Sequence, residues 1–431
     1  MIHIDTKAGA PVTEKRLRNG MQVIFIERHD APVVTTLLYY KVGARNEAMH
    51  ETGVSHFLEH MMFKGSQRYG KGQIDLITTT LGGTNNAWTS HDHTAYWFEF
   101  ASDRWERALE LESDRMRGLM LSPDEFEAEK AVVLEELSMG EDDPWRELGR
   151  EVGEALFAGH PYGRPVIGYE DVLRDMDVDL MRGYYDRFYR PENAVLVICG
   201  DMRPASAMKL VRKHFAPLGN APAGVASAVF QRAPAEPRAE KRITCRWDDD
   251  ARRLYMAWPT VTVGTDEDYA LDLVTVIMAT GRRSRLYQRL VQDEGMAMNI
   301  SMSNDTRREG GAMWLMSECS ADTRPADLEA AIDEELQRLA TELVPAKELK
   351  RARDMLHAAA AHECETVTDL AESIGSFAVD AQWRLALEAD ERLAAIRPKF
   401  LRDTVARLLE KRRRVVGWSL PRDMDVAETA S

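Results

Sequence analysis

The sequence predicts an α+β protein of two similar halves, each with a mostly antiparallel sheet packed against helices. At 431 residues the chain is longer than a single hydrophobic core usually supports. Its hydrophobic content of 44% is typical of a folded globular protein. Elements predicted in the second half repeat the order of those in the first half, which is the pattern that an internal duplication leaves.

The first half begins with two predicted strands, and a short helix follows them. Residues 21–30 (MQVIFIERHD) alternate between apolar and polar, and residues 33–42 (VVTTLLYYKV) have the composition of a second strand. Residues 53–63 (GVSHFLEHMMF) have helical spacing, and residues 72–82 (GQIDLITTTLG) predict a further helix that ends at a glycine pair. Residues 85–100 (NNAWTSHDHTAYWFEF) alternate throughout, which predicts one long strand.

The remainder of the first half is predicted to be largely helical. A charged amphipathic helix is expected from Asp103 to about Met120. The next helix has a strong start signal, because Ser122 can cap it, Pro123 suits its first position and Glu125 can complete a capping box.

A change in composition separates the two halves. Residues 221–240 are rich in Ala, Pro and Gly, so we predict a linker there between domains 1–220 and 241–431. After it, RRLYMAWPTV parallels TTLLYYKVGA, GAMWLMSECSA parallels AYWFEFASDR, and LVPAKELKRARDMLHAAAA parallels LSPDEFEAEKAVVLEELSM. These correspondences are the basis for predicting a duplication.

Charge and cysteine content disfavour several classes of protein. The net charge of −15 disfavours nucleic-acid binding, which needs a basic face. The four cysteines lie far apart without a CxxC pair, so neither a zinc ribbon nor a disulfide framework is expected. No apolar run is long enough for a membrane span, and residues 1–12 have no signal-peptide pattern.

Residues 53–66 (GVSHFLEHMMFKGS) contain the pattern H-x-x-E-H. His56 and His60 are four positions apart, so on a helix their imidazoles share one face. A catalytic zinc ion usually takes three protein ligands and a water, with nitrogen ligands at ~2.0–2.1 Å. Glu59 lies close enough to take a proton from such a water, whose pKa the metal lowers. This order of residues occurs in inverzincin peptidases, although a polar turn of a surface helix would also explain it.

The third ligand is expected on the acidic helix that follows Ser122. Glu129 and Glu136 are seven residues apart and share a helix face, whereas Glu135 points about 100° away. If Glu136 completes the site, Glu129 lies where carboxylates orient ligand imidazoles. A solvated acidic face is the alternative, but the apolar stretch AVVLEEL favours partial burial, where a carboxylate needs a partner.

These motifs resemble the pitrilysin (insulinase) family of zinc metallopeptidases, and the length is similar to that of its short, mitochondrial-processing-peptidase-like members. The resemblance extends over nearly the whole chain, with further matching stretches in GGTNNAWTSHDHTAYWFEF, HPYGRPVIG, YYDRFYRPENAVLVICGD and GRRSRLYQRLVQDEG. It implies one Zn²⁺ per chain, held by His56, His60 and Glu136, with Glu59 as general base and Glu129 orienting a ligand. It also implies two repeated domains and a clamshell-type dimer around a chamber.

The resemblance also implies where a peptide substrate binds. In the family the substrate lies along the strand after the Gly-Gly turn, which here contains Asn86, Ala87, Trp88 and Thr89. An extended peptide can pair its backbone with an exposed strand edge, which would place the scissile carbonyl at the metal. The alternative for these residues is an ordinary core strand.

The chain departs from the family in its second half, where the family has an arginine and a tyrosine seven positions apart. Val291 and Met298 stand at those positions, and neither side chain can donate a hydrogen bond. Loss of one transition-state donor typically lowers the rate about 10²–10³-fold. Arg285 and Arg289 are near but lie on other faces of the predicted helix.

The favoured hypothesis is therefore a zinc endopeptidase subunit with low activity alone, which forms a heterodimer with a homologous subunit that carries the arginine–tyrosine pair. The alternatives are a homodimer that works by a weaker route and a non-catalytic binding or scaffold protein of the same fold. A periplasmic location is expected, because paired subunits of this type are often exported, with a cytoplasmic location as the alternative.

Overall fold

The structure is a computed structural model that describes residues 3–5, 9–219 and 233–424. Residues 220–232, which include most of the predicted linker, lie outside this range. Two units are present, each with a mostly antiparallel sheet and its own helices, so the predicted fold class is confirmed. Among the helices of the described residues, none combines the length and apolar character that a membrane crossing requires.

The strands are β1 (His3–Asp5), β2 (Pro11–Arg16), β3 (Gln22–Glu27), β4 (Val33–Tyr40), β5 (Thr84–Thr89), β6 (Thr94–Ala101), β7 (Ala194–Gly200), β8 (Lys241–Trp247), β9 (Arg253–Thr260), β10 (Ala297–Thr306), β11 (Gly311–Cys319) and β12 (Val415–Pro421). The α-helices are α1 (Val54–Met61), α2 (Gln73–Thr80), α3 (Glu106–Gly118), α4 (Pro123–Glu141), α5 (Pro144–Leu156), α6 (Glu170–Asp175), α7 (Val178–Phe188), α8 (Pro204–Phe215), α9 (Asp266–Met278), α10 (Pro325–Thr341), α11 (Ala346–His362), α12 (Val367–Asp380), α13 (Arg384–Ala395) and α14 (Pro398–Leu408). A short π-helix spans Tyr287–Asp293.

Both sheets have the same topology over five strands. The first sheet has the order β1-β2-β3-β7-β4-β6-β5, and the second has the order β10-β11-β9-β12-β8. In each sheet the corresponding pair, β3 with β7 and β8 with β12, is parallel, whereas the other pairs are antiparallel. This correspondence agrees with the duplication that the repeated order of elements predicts.

Each unit takes one helix from the other half of the sequence. Unit 1 comprises the described parts of 1–137, 165–230 and 360–387, and unit 2 comprises those of 138–164, 231–359 and 388–431. In unit 2, α5 packs across β12 and β9, and in unit 1, α12 packs across β4 and β7. The predicted boundaries at 220 and 241 do not include this exchange.

Glycines allow both exchanged helices to approach their sheets closely. A Cβ at Gly417 on β12 would lie 2.4 Å from Val152 of α5, and one at Gly375 of α12 would lie 2.4 Å from the ring of Tyr39 on β4. Helix α12 covers one face of the first sheet, and the core that contains α1 covers the other face. Every residue of β7 is therefore buried. A continuous apolar strand such as AVLVICG is typical of a sheet that is covered on both faces.

The prediction of one long strand over residues 85–100 is wrong. The segment forms the antiparallel pair β5 and β6, and the chain reverses at Ser90–His93. In this turn the Ser90 N–H donates to the His93 carbonyl at 2.8 Å, and the Ser90 hydroxyl accepts a hydrogen bond of 3.1 Å from the His93 N–H. The alternation of apolar and polar residues continues through the reversal, so the pattern alone cannot reveal it.

Candidate metal centre

Helix α1 presents an apolar face to the core and a polar face that carries the H-x-x-E-H residues. Phe57 and Leu58 are fully buried, whereas His56, Glu59 and His60 are partly exposed. The rings of His56 and His60 have centroids 4.8 Å apart, as the four-residue spacing predicts. One turn of helix thus brings two imidazoles and one carboxylate to the same side.

Helix α4 brings the third donor to this group. The Glu136 carboxylate lies 3.8 Å from Nε2 of His56 and 3.5 Å from Nε2 of His60. The three donor atoms lie within 4.8 Å of one another. Tetrahedral ligands at zinc distances are separated by about 3.5 Å, so the arrangement fits a zinc ion after small side-chain movements.

The chemistry of the two histidines also fits a metal ion. Burial, together with the neighbouring His60, lowers the pKa of His56, so that its imidazole is neutral and can offer a lone pair. His60 has a defined tautomer partner, because its Nδ1 lies 3.0 Å from Oε1 of Glu129. This contact fixes Nδ1 as a donor and leaves Nε2 free to face Glu136.

Glu129 lies where the sequence predicts an orienting carboxylate. Its Oε2 contacts Nζ of Lys64 at 2.5 Å, and its side chain is only 9% exposed. Burial raises the pKa of Glu129, but the hydrogen bonds from Lys64 and His60 outweigh burial and hold it below the usual value. Glu129 is therefore a carboxylate at neutral pH.

Glu59 stands beside the three donors and has a different environment. Burial is the main cause that raises the pKa of Glu59 above that of an ordinary glutamate. The Thr89 hydroxyl donates a hydrogen bond of 2.5 Å to Oε2 of Glu59. A carboxylate with a raised pKa, beside a metal centre but outside the ligand set, is suited to accept and return a proton.

The predicted substrate strand is β5, which lies at the edge of the first sheet. Asn86 is exposed, and its side-chain oxygen accepts a hydrogen bond of 2.9 Å from the backbone N–H of Ala87. Ala87 and Trp88 pack against opposite cores of unit 1, and Thr89 contacts Glu59. Among the described strands, β5 pairs with β6 alone, so its other side can take a further strand.

The residues at the arginine and tyrosine positions lie in unit 2. Val291 is in the π-helix and packs against the second core, whereas Met298 is on the edge strand β10 with 65% of its surface exposed. Arg285 forms two hydrogen bonds of 2.9 and 2.7 Å to Glu348. Arg289 forms ion pairs with Glu294, Glu334 and Glu335. Both neighbouring arginines are thus occupied within their own unit.

A second group of possible metal ligands lies in unit 1. Glu106 and Glu110 of α3 lie close to His214 of α8. Lys213 contacts Glu106 at 2.7 Å, and Arg107 pairs with Glu110. Because cations already neutralise both carboxylates, this group is a weaker candidate for a metal centre than His56, His60 and Glu136.

Sequence reasoning missed two contacts of this site. The role of Lys64 could have been suspected, because this residue follows His60 by four positions and could face the same acidic helix. The hydrogen bond from Thr89 to Glu59 joins residues thirty positions apart on different elements, and no local pattern indicates it.

Comparison with known families gives two matches that cover most of the chain. The family model described as insulinase (peptidase family M16) matches residues 22–170. The model described as peptidase M16 inactive domain matches residues 175–356. The first match contains the candidate metal centre, and the second contains Val291 and Met298.

Similar proteins carry the name zinc protease. Zinc protease PqqE of Helicobacter pylori is 28% identical to this chain in their aligned part. The aligned part covers 67% of this chain and 65% of the length of that relative. The uncharacterized zinc protease YmxG of Bacillus subtilis is 26% identical over 79% of this chain and 81% of its own length.

Solved structures share the fold. A protease from Helicobacter pylori superposes with a TM-score of 0.91 at 22% identity, over 95% of this chain and 99% of that one. The first half of the periplasmic protease PqqL from Escherichia coli gives a TM-score of 0.79 at 17% identity, over 100% of this chain and 96% of that one. The full PqqL structure matches over only 49% of its length.

Proposed function

The chain belongs to the M16 (insulinase) family of peptidases, and we propose that it is a zinc metalloendopeptidase subunit that hydrolyses peptide bonds of unstructured peptides. The observation that carries this proposal is the convergence of His56, His60 and Glu136, with Glu59 beside them but engaged by Thr89. These groups are the parts that a catalytic zinc site needs: three donors and one base outside the ligand set.

The mechanism assigns a separate task to each residue. His56, His60 and Glu136 would hold the zinc ion, which when bound would act as a Lewis acid toward the peptide carbonyl and the attacking water. Glu59 would accept the proton of the water and deliver it to the leaving amine. Thr89 would hold Glu59 in place through its hydroxyl, and Glu129 would hold the ring of His60.

Substrate would bind along β5. The free side of this edge strand can pair with an extended peptide, and Thr89 at its end contacts the base. Backbone pairing selects for extended segments rather than for particular side chains. The proposed substrates are therefore unstructured peptides.

We propose further that the active form is a heterodimer with a homologous subunit. The side chains of Val291 and Met298 have no hydrogen-bond donor. The ion pairs of Arg285 and Arg289 would have to break before either arginine could replace the missing one. The Escherichia coli PqqL chain is about twice as long as its match to this chain, so in that relative two such lengths are joined in one polypeptide. This supports a second chain of the same fold as partner.

The alternative is a weakly active or non-catalytic homodimer of the same fold. The departures at Val291 and Met298 favour it, whereas the complete donor set of unit 1 disfavours it.

A periplasmic location is proposed because the similar PqqL is named a periplasmic protease, and a cytoplasmic location is the alternative. Cell fractionation of the native producer with an antibody to the chain distinguishes these two locations.

The decisive experiment measures zinc content and cleavage of quenched fluorescent peptides by the purified chain. The expected result is one zinc ion per chain, slow cleavage alone, and faster cleavage after addition of a homologue that has the arginine–tyrosine pair. The Glu59→Gln variant should retain zinc and lose cleavage. A wild-type chain without zinc, or a Glu59→Gln variant that cleaves as fast as wild type, would refute the peptidase proposal, and full activity of the chain alone would refute the two-subunit proposal.

A further inference from the structure

The two carboxylate oxygens of Glu129 contact two residues that lie four positions apart in the chain. Oε1 faces Nδ1 of His60 at 3.0 Å, and Oε2 faces Nζ of Lys64 at 2.5 Å. His60 lies in the last turn of α1, and Lys64 lies just beyond the end of that helix. One carboxylate on α4 therefore connects a proposed zinc ligand to a cation four residues later.

The burial of Glu129 makes its contact with Lys64 important for the orientation of the carboxylate. The Glu129 side chain is 9% exposed and that of Lys64 is 25% exposed, so water can solvate the carboxylate only poorly. A buried carboxylate without a countercharge is costly and tends to turn toward water. Such a turn would remove the acceptor that Nδ1 of His60 needs, and Nε2 would then no longer be held toward Glu136.

We propose that Lys64 is a positioning residue of the metal centre: by holding Oε2 of Glu129, it keeps Oε1 directed at His60 and so increases the affinity of the site for zinc. In the described part of the chain, no hydrogen bond or ion pair joins the Lys64 side chain to the three donors or to Glu59, so its effect on the site would pass through Glu129. This inference rests on the proposed zinc site.

The chain contains a matched control for this ion pair. Lys71 contacts Glu125 at 2.6 Å, and Glu125 lies on α4 one helical turn before Glu129. Both lysines thus connect the segment after α1 to α4. Among the described residues, no histidine pairs with Glu125, and Lys71 is 58% exposed, so this pair controls for a general effect on the packing of α4.

The test measures zinc affinity by competition with a chelator for the wild type and the variants Lys64→Met, Lys64→Arg and Lys71→Met. Removal of a group that orients a metal ligand typically weakens metal binding 10–100-fold, and we expect a loss of about this size for Lys64→Met. Lys64→Arg keeps the cation and should recover most of the affinity. Lys71→Met should remain within about twofold of wild type.

A double-mutant cycle shows whether Lys64 acts through Glu129. In a Glu129→Gln background, the further change Lys64→Met should alter zinc affinity less than about twofold, because the connection is already lost. Melting curves of the metal-free variants identify any loss through misfolding, and the Lys64→Arg variant then provides the comparison in a folded chain.

Three outcomes would overturn the inference. These are wild-type zinc affinity in Lys64→Met, an equal loss in Lys71→Met, or a full additional loss in the Glu129→Gln background. A wild-type chain that binds no zinc would overturn the metal centre as well, whereas tight wild-type binding with an unaffected Lys64→Met variant would refute only the role of Lys64.

Discussion

The hydroxyl of Thr89 donates a 2.5 Å hydrogen bond to the carboxylate of Glu59, and it thereby joins the edge strand β5 to the helix α1. This hydrogen bond thus connects the strand proposed to hold the substrate directly to the residue proposed to act as base. A substrate strand placed against β5 would have its register set relative to Glu59.

The first prediction concerns this hydrogen bond. Thr89→Val keeps the shape and the strand propensity of the side chain but removes the donor, so Glu59 loses a charge-assisted hydrogen bond worth about 1.5–3 kcal/mol. We expect kcat/KM for peptide cleavage to fall about 10–100-fold, while zinc affinity stays within about twofold of wild type. Thr89→Ser, which keeps the hydroxyl, should retain most activity, and equal losses in the two variants would contradict this role.

Unit 2 has a similar contact at the corresponding place. Thr306 ends β10 as Thr89 ends β5, and its hydroxyl donates a hydrogen bond of 2.9 Å to Oδ1 of Asp268 on α9. The amide of Asn304 donates to Asp268 and, at 2.9 Å, to Asp272. The duplicated unit thus has a hydroxyl–carboxylate pair of the same kind, and a second aspartate, Asp272, lies four residues after the first.

The second prediction follows from this aspartate pair. Burial, and then the charge of Asp268, raises the pKa of Asp272 to about 7. The folded chain therefore binds more protons than the unfolded chain between about pH 4 and 7. The contribution of Asp272 to the free energy of unfolding should be full below about pH 4 and should decrease as pH rises through about 7, by up to about 1.4 kcal/mol per pH unit.

Urea unfolding between pH 4 and 8 tests this pH dependence. Asp272→Asn mimics the protonated side chain, so the variant should show a flatter dependence and greater stability than wild type at pH 8. Asp266→Asn, on the exposed first turn of the same helix, should follow the wild-type curve apart from a small offset. Equal slopes for wild type and Asp272→Asn would show that Asp272 titrates normally.

The sequence predicted the clustering of the candidate donors His56, His60 and Glu136 better than it predicted the architecture around them. The spacing of His56 and His60 is a local property of one helix, and the seven-residue interval from Glu129 to Glu136 places both on one face of another. The hairpin at Ser90–His93 and the sheet that α5 covers depend on contacts between distant residues. Amphipathic spacing shows that Leu148 and Val152 are buried, but it does not show which sheet buries them.

The third prediction tests the exchanged helix α12. Gly375→Ala would place a methyl group 2.4 Å from the buried ring of Tyr39, and overpacking of this kind costs about 1–3 kcal/mol. The higher helix propensity of alanine, about 1 kcal/mol, offsets only part of that cost. We expect a lower melting temperature for Gly375→Ala. Gly183→Ala on α7 meets no atom within 4 Å and should raise the melting temperature slightly, so a decrease in both variants would argue against a specific clash.

The last prediction tests whether the missing tyrosine limits activity. Met298 is 65% exposed on β10, so Met298→Tyr should fold like wild type while it restores a hydroxyl at the position where the family has one. With Val291 unchanged the arginine is still absent, and we expect a partial gain of about tenfold in kcat/KM, equivalent to about 1.4 kcal/mol of transition-state stabilisation. Met298→Phe adds the same ring without a donor and should stay at the wild-type rate. A gain of equal size in both variants would assign the effect to apolar contact with the peptide, and no gain in either would mean that position 298 does not reach the reacting carbonyl.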